Sequence, residues 1–415
     1  MSGTPAKALV VLEDGSAFRG SSFGAEGTSF GEAVFNTGMA GYQEILTDPS
    51  YRGQIVVMTA THVGNYGMNP ADAESDRIQV AGFVVREAAR RPSSWRARGD
   101  LGSALREAGI VGVEGVDTRR LTRLIREQGA MRCGVSTEIL DVDALHAQVL
   151  ESPGMVGRDL TREVTTSAPY TLEGDVGARG RRHRAVALDF GVKRSILGNL
   201  ARQGFEVVVL PAHASDEEVL AYGPDGVFVS NGPGDPAAVT GGIATVRHLL
   251  GKVPVFGICL GSQLLGHALG AETYKLRFGH RGTNQPVLRR ADGAVEITSH
   301  NHGFAVEAAS LGEQIGDHRF ETVAHGQVEV SHLNLNDGTC EGLVCLDVPA
   351  FSVQYHPEAA PGPHDAEYLF ERFSRLVEGA GQVGRHSGAR PDRRSRTTGR
   401  AGDDRGGAVV EREKG

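Results

Sequence analysis

A chain of 415 residues is long enough for two domains, and a net charge of -8 with a pI near 6.0 argues against a nucleic-acid binder. No apolar run approaches the roughly 20 residues that span a bilayer, and the N-terminus has no signal-peptide pattern, so a cytoplasmic protein with no membrane contact is expected. The four cysteines, Cys133, Cys259, Cys340 and Cys345, lack metal-ligand spacing and are expected to stay free thiols in a reducing compartment. In chain order, residues 1–151 read as a separate α/β domain. Residues 8–12 and 55–59 are strand-like, while 101–108 and 118–128 have helical periodicity, the latter with Asp117 or Thr118 as N-cap. Between them runs FNTGMAGYQEILTDPSY over 35–51, which on local chemistry alone is a polar surface loop. From 152 to 184 periodicity weakens and Pro, Gly and Thr collect, which marks a linker.

Residues 185–378 form a second unit in which strands alternate with helices. Strands are expected at 185–188, 206–210, 226–230 and 253–258, and helices at 193–202 and 240–250. That alternation predicts an α/β fold with a mostly parallel sheet flanked by helices and an active site at the carboxyl ends of the strands. Within it, 253–258 is a strand and the apolar spacing from Ser262 is helical, with Cys259 between them. Gly257 and Gly261 stand two residues to either side, as a tight strand-to-helix turn requires. The thiol sits at a helix N-terminus, where free N–H groups and the dipole favour a thiolate. A cysteine in an apolar stretch is also a common small core residue, so the local pattern leaves both readings open.

A distant partner favours the nucleophile. His356, directly after a strand-like run at 351–354, can act as the base, and Glu358 two residues later can fix its tautomer. The loop Asn231, Gly232, Pro233, Gly234, Asp235, Pro236 follows another strand end; it is either a plain turn or a set of N–H donors for a developing oxyanion. No GxGxxG or GxxxxGK[ST] pattern is present to hold a nucleotide phosphate. His300 and His302 have the look of a metal pair, but no carboxylate or Cys follows at ligand spacing, and no metal is expected.

Cys259, His356 and Glu358 resemble the Cys, His, Glu triad of class I glutamine amidotransferases. The 35–51 string, together with His62, Val63, Gly64, Asn65 and the run Asp117 to Leu124, resembles the N-terminal domain of the carbamoyl phosphate synthetase small-subunit family. The similarity covers roughly residues 7–375. Ala40 stands where that family usually has Thr, and His300 where it often has Gln. The resemblance implies glutamine hydrolysis through a Cys259 thioester, with ammonia passed to an ATP- and Mg2+-using large subunit for carbamoyl phosphate synthesis, which feeds arginine and pyrimidine biosynthesis. It implies no cofactor in this chain and a heterodimer with the large subunit. It places Ser50, Gly232, Gly234, Leu260, Gln263, Asn301, Gly303 and Phe304 around glutamine, with the Gly232 and Leu260 N–H groups as oxyanion donors. The alternative is the glutaminase subunit of another synthetase or a γ-glutamyl hydrolase.

The 311–335 stretch is longer than the resemblance implies and is expected to form an added hairpin. Residues 379–415 have almost no apolar side chains and are expected to be a disordered tail. The arginines at 390, 393, 394 and 396 read as solvated rather than nucleic-acid binding, because acidic residues interleave and no aromatic is there to stack.

Overall fold

The computed structural model describes residues 6–174 and 183–386. Seven strands close the first unit into a barrel: β1 (Lys7–Leu12), β2 (Ala17–Ser22), β3 (Thr28–Asn36), β4 (Gln54–Met58), β5 (Gly82–Val84), β6 (Val111–Glu114) and β7 (Met131–Ser136), in the order β1-β2-β6-β5-β4-β3-β7. Period-two alternation sorts their side chains. Val10, Leu12, Ala33, Ile55, Val57 and Val135 fill the interior, while Leu9 and Val11 pack outward on Leu145. Helices α1 (Tyr42–Thr47), α2 (Leu101–Glu107), α3 (Thr118–Gln128) and α4 (Val142–Glu151) accompany the strands. Asp117 caps α3 by accepting from the Arg120 N–H, and Leu121 and Ile125, one turn apart, bury its inner face.

The second unit is built on a 12-stranded sheet, counted among the described residues. Its strands are β8 (Tyr170–Leu172), β9 (His183–Asp189), β10 (Phe205–Pro211), β11 (Gly226–Val229), β12 (Val255–Ile258), β13 (Glu272–Arg289), β14 (Val295–Glu307), β15 (Glu313–Gly316), β16 (Arg319–Thr322), β17 (Gly326–Asn334), β18 (Cys340–Cys345) and β19 (Ala350–Val353). The expected parallel sheet is its centre, β19-β12-β11-β9-β10, flanked by α5 (Arg194–Arg202), α6 (Asp216–Ala221), α7 (Thr240–Leu249), α8 (Leu260–Ala268) and α9 (Tyr368–His386). Val186 and Leu188 of β9 bury one face with Val246 and Leu264; Ala185 and Ala187 bury the other with Ile196, Leu200, Phe370 and Phe373. Burial on both faces is why these strands read as continuous apolar runs.

Sequence periodicity left the antiparallel extension β14-β13-β17-β18 unplaced, because its strands mix polar and apolar residues and carry bulges. Within it β15 and β16 pair as a hairpin against β17, inside the 311–335 stretch. The segment expected as a linker, 152–184, contributes more than a connection. It supplies the edge strand β8 beside β10, and Asp159 bridges to Gly234 in the loop after β11; residues 175–182 lie outside the described residues. Helix α9 continues to His386, past the expected start of the tail at 379; the tail from 387 to 415, with its arginines, lies outside the described residues. Among the described residues no helix is long and apolar enough to cross a membrane.

Candidate active site

Parallel pairing of β12 with β19 sets Ile258 opposite Val353, and the Cys259 N–H continues the ladder to the Val353 carbonyl at 2.9 Å. Both strands end at the same edge, so Cys259 and His356 emerge as neighbours although 97 residues of sequence separate them (356 minus 259). Cys259 lies at the elbow between β12 and α8 with φ 55 and ψ -106, a strained conformation for a side chain with a Cβ. The turn is this tight only because its flanks are glycine: a Cβ on Gly257 would lie 2.6 Å from the Gly261 carbonyl oxygen, and one on Gly261 would lie 2.1 Å from that of Val229. Leu260 opens α8, so its N–H has no partner within the helix.

His356 Nδ1 is 2.7 Å from Glu358 Oε1, and the His356 N–H is anchored on the Ser299 carbonyl at 2.8 Å. Nε2 is buried without a hydrogen-bond partner of its own. Burial works against the imidazolium, but the Glu358 carboxylate and the Cys259 sulfur outweigh it and raise His356 to about 10. Glu358 is itself buried, yet the Lys193 ammonium and His356 hold its carboxyl down at about 2. Lys193 Nζ donates to Glu358 Oε1 at 2.7 Å and to the Ala360 carbonyl at 2.6 Å. Sequence reasoning missed this lysine. One signal pointed to it: it follows β9 at the same strand edge as the cysteine.

A narrow cleft opens at the sulfur. Ser50, Gly232, Gly234, Gln263, Asn301, Gly303 and Phe304 all line it, together with Cys259. Leu260 does not; its side chain is buried beside Gly232. Ser50 comes from the barrel unit, and its hydroxyl accepts from Asn231 Nδ2 at 2.9 Å, which ties the two units together at the cleft. Gln263 donates to the Phe304 carbonyl at 2.7 Å and to Gln354 Oε1 at 3.1 Å, so it holds β14 in place. Asn301 donates to Asp48 Oδ2 at 3.1 Å, leaving its Oδ1 buried and unpartnered. Arg281, also missed from the sequence, lines the cleft with Nε and Nη2 buried and unpartnered.

Two family models match the chain: the CPSase domain of the carbamoyl-phosphate synthase small chain over residues 10–135, and class-I glutamine amidotransferase over 186–376. The chain is 55% identical over 375 residues to the carbamoyl phosphate synthase small chain of Streptomyces avermitilis, covering 90% of this chain and 96% of that one. The chain belongs to the carbamoyl phosphate synthase small-chain family. Other relatives of the same name come from a Nostoc species, 55% identical over 378 residues and covering 88% of this chain and 94% of that one, and from Syntrophotalea carbinolica, 52% identical over 381 residues and covering 90% and 98%. In this small chain the amidotransferase match spans β9 to α9 and the CPSase match spans most of the barrel, so the cleft, with Ser50 on one side and Cys259 on the other, draws on both.

Proposed function

We propose that Cys259, His356 and Glu358 hydrolyse the side-chain amide of L-glutamine in this small chain and release ammonia for carbamoyl phosphate synthesis by a large chain. The observation that carries the reading is the pairing of a strained thiol with a buried imidazole in a cleft whose unpartnered polar atoms suit an α-amino acid. Arg281 Nε and Nη2 are donors for an α-carboxylate, and Asn301 Oδ1 is an acceptor for an α-ammonium.

The Cys259 sulfur attacks the amide carbon, and the carbonyl oxygen takes the negative charge on the N–H groups of Gly232 and Leu260. Collapse breaks the C–N bond as His356 gives its proton to the departing nitrogen, which leaves as ammonia. His356, now neutral, takes a proton from water; the hydroxide adds to the γ-glutamyl thioester, the C–S bond breaks, and glutamate and the thiolate are regenerated. Glu358, held by Lys193, keeps Nδ1 protonated so that Nε2 faces the reaction.

Ammonia loses its nucleophilicity when protonated, so coupling needs a sheltered route to the partner that binds ATP and Mg2+. The free cysteines Cys133, Cys259, Cys340 and Cys345 suit a reducing, cytoplasmic setting. The test is Cys259→Ser in complex with the large chain. Glutamate release and glutamine-dependent synthesis should be lost while ammonia-dependent synthesis persists. Continued glutamate release would remove Cys259 as nucleophile, and loss of both syntheses would remove the division of labour.

A further inference from the structure

Behind the glutamine cleft, in the antiparallel extension, three histidines and a glutamate converge in a fully buried cluster. Register brings the histidines together: His300 and His302 share one face of β14, and His302 stands directly opposite His280 of β13. Glu341 of β18 reaches the same point, so that one donor atom from each of the four lies within 4.8 Å of the others.

The outer nitrogen of every histidine is already committed. His280 Nε2 is 2.8 Å from Asp337 Oδ2, His302 Nδ1 is 2.9 Å from the Phe304 carbonyl, and His300 Nε2 is 2.7 Å from the Thr298 hydroxyl. A carbonyl can only accept, so His302 carries its proton on Nδ1. The Thr298 hydroxyl donates to the Gln285 carbonyl at 2.9 Å and therefore accepts from His300 Nε2. His300 Nδ1 and His302 Nε2 are left facing each other as two lone pairs 3.1 Å apart. Glu341 Oε1, 3.7 Å from His300 Nδ1 and 3.4 Å from His280 Nδ1, adds a third acceptor; the Asn334 side-chain amide donates to it at 2.9 Å and lies 3.3 Å from His280 Nδ1, while Oε2 is buried with no partner. One amide donor from Asn334 does not reach the His300 and His302 pair, whose facing lone pairs repel in a dry interior unless a cation sits among them.

We propose that His280, His300, His302 and Glu341 hold one zinc ion in a closed, structural site. Four-coordinate zinc with bonds of about 2.0–2.1 Å sets its ligand atoms roughly 3.3 Å apart, and the close pairs here, at 3.1, 3.4 and 3.7 Å, bracket that spacing. Outer hydrogen bonds from each ligand ring to a carboxylate, carbonyl or hydroxyl are what zinc-binding histidines use to fix tautomer and orientation. The Glu341 and Asp337 carboxylates together balance a divalent ion. Four protein ligands leave no open position, so the ion ties β13, β14 and β18 together and steadies the strand that carries Asn301, Gly303 and Phe304 into the cleft. His300 and His302 lack a third ligand at sequence spacing; the fold supplies two from other strands.

The experiment is metal analysis and zinc-edge X-ray absorption on the full chain, purified without chelator and without a histidine tag. About one zinc per chain in a shell of three nitrogens and one oxygen near 2.0–2.1 Å is expected. The double variant His300→Gln, Glu341→Gln should lose the bound zinc to background, and a chelator should lower the melting temperature of the wild type but not of the variant. The apo wild type titrated with zinc gives a second readout that needs no variant. No zinc in the purified chain together with no uptake in that titration, equal zinc on the double variant, or a shell of water oxygens overturns the site and leaves a proton shared by His300 and His302 as the relief of the repulsion.

Discussion

Lys193 Nζ and His356 Nδ1 both reach the same oxygen of Glu358, each at 2.7 Å. The carboxylate proposed to orient the base is thus itself fixed by a buried cation, from the start of α5. Replacing that cation leaves Glu358 buried with one positive partner fewer. Lys193→Met should destabilise the fold by about 3–5 kcal/mol, the cost of breaking a buried pair, and should depress glutamate release by more than any loss of folded protein explains. Urea unfolding and turnover on the folded fraction check this; a variant with wild-type stability and turnover removes Lys193 from the site.

Folding stability should depend on pH through the same group. Glu358 is held at about 2 in the fold against an ordinary 4.5, so its contribution is complete above pH 4.5 and disappears as pH falls toward about 2. His356 moves the other way, from 6.5 to about 10; its contribution is complete below pH 6.5 and is lost as pH climbs toward about 10. The difference in urea midpoint between wild type and Glu358→Gln should therefore be widest between about pH 4.5 and 6.5 and shrink on both sides. A difference constant across pH contradicts the assignment.

Gly261→Ala should cripple the elbow, because the added Cβ meets the Val229 carbonyl oxygen at 2.1 Å and backbone must move. Displacing the thiol and the neighbouring Leu260 N–H should cost at least about 2.7–4 kcal/mol of barrier, or 10²–10³ in kcat, the loss seen on removal of one oxyanion donor. Gly198→Ala in α5 is the control: its Cβ meets only the end of Arg202, at 3.6 Å, and helix propensity predicts a gain of about 0.5–1 kcal/mol. Steady-state kinetics and thermal melts on the pair decide; equal activity would refute the packing argument.

Arg281→Met should raise the KM for glutamine roughly 10- to 100-fold with little change in kcat, as expected for loss of a charged hydrogen bond made equally in ground and transition states. The amide of 4-aminobutyric acid, glutamine without its α-carboxylate, should be turned over equally by variant and wild type. If the variant is impaired on that substrate as well, Arg281 holds the cleft together instead of the carboxylate.

The proposed catalytic centre was legible in the chain wherever its parts are close in sequence. Gly257, Cys259 and Gly261 announce an elbow because only glycine tolerates such contact with neighbouring backbone, and His356 and Glu358 lie two residues apart at one strand end. Strand and helix periodicity likewise placed the parallel centre, since burial on both faces leaves uninterrupted apolar runs. Tertiary structure alone decided the rest. Lys193, Arg281, and the meeting of His280 and Glu341 with His300 and His302 depend on strand register across scores of residues, and closure of the barrel depends on β7 pairing with both β1 and β3. Local pattern is set by which face of one element is buried; which elements then lie side by side is set by pairing and packing summed over the whole sheet, and no short window of sequence contains that sum.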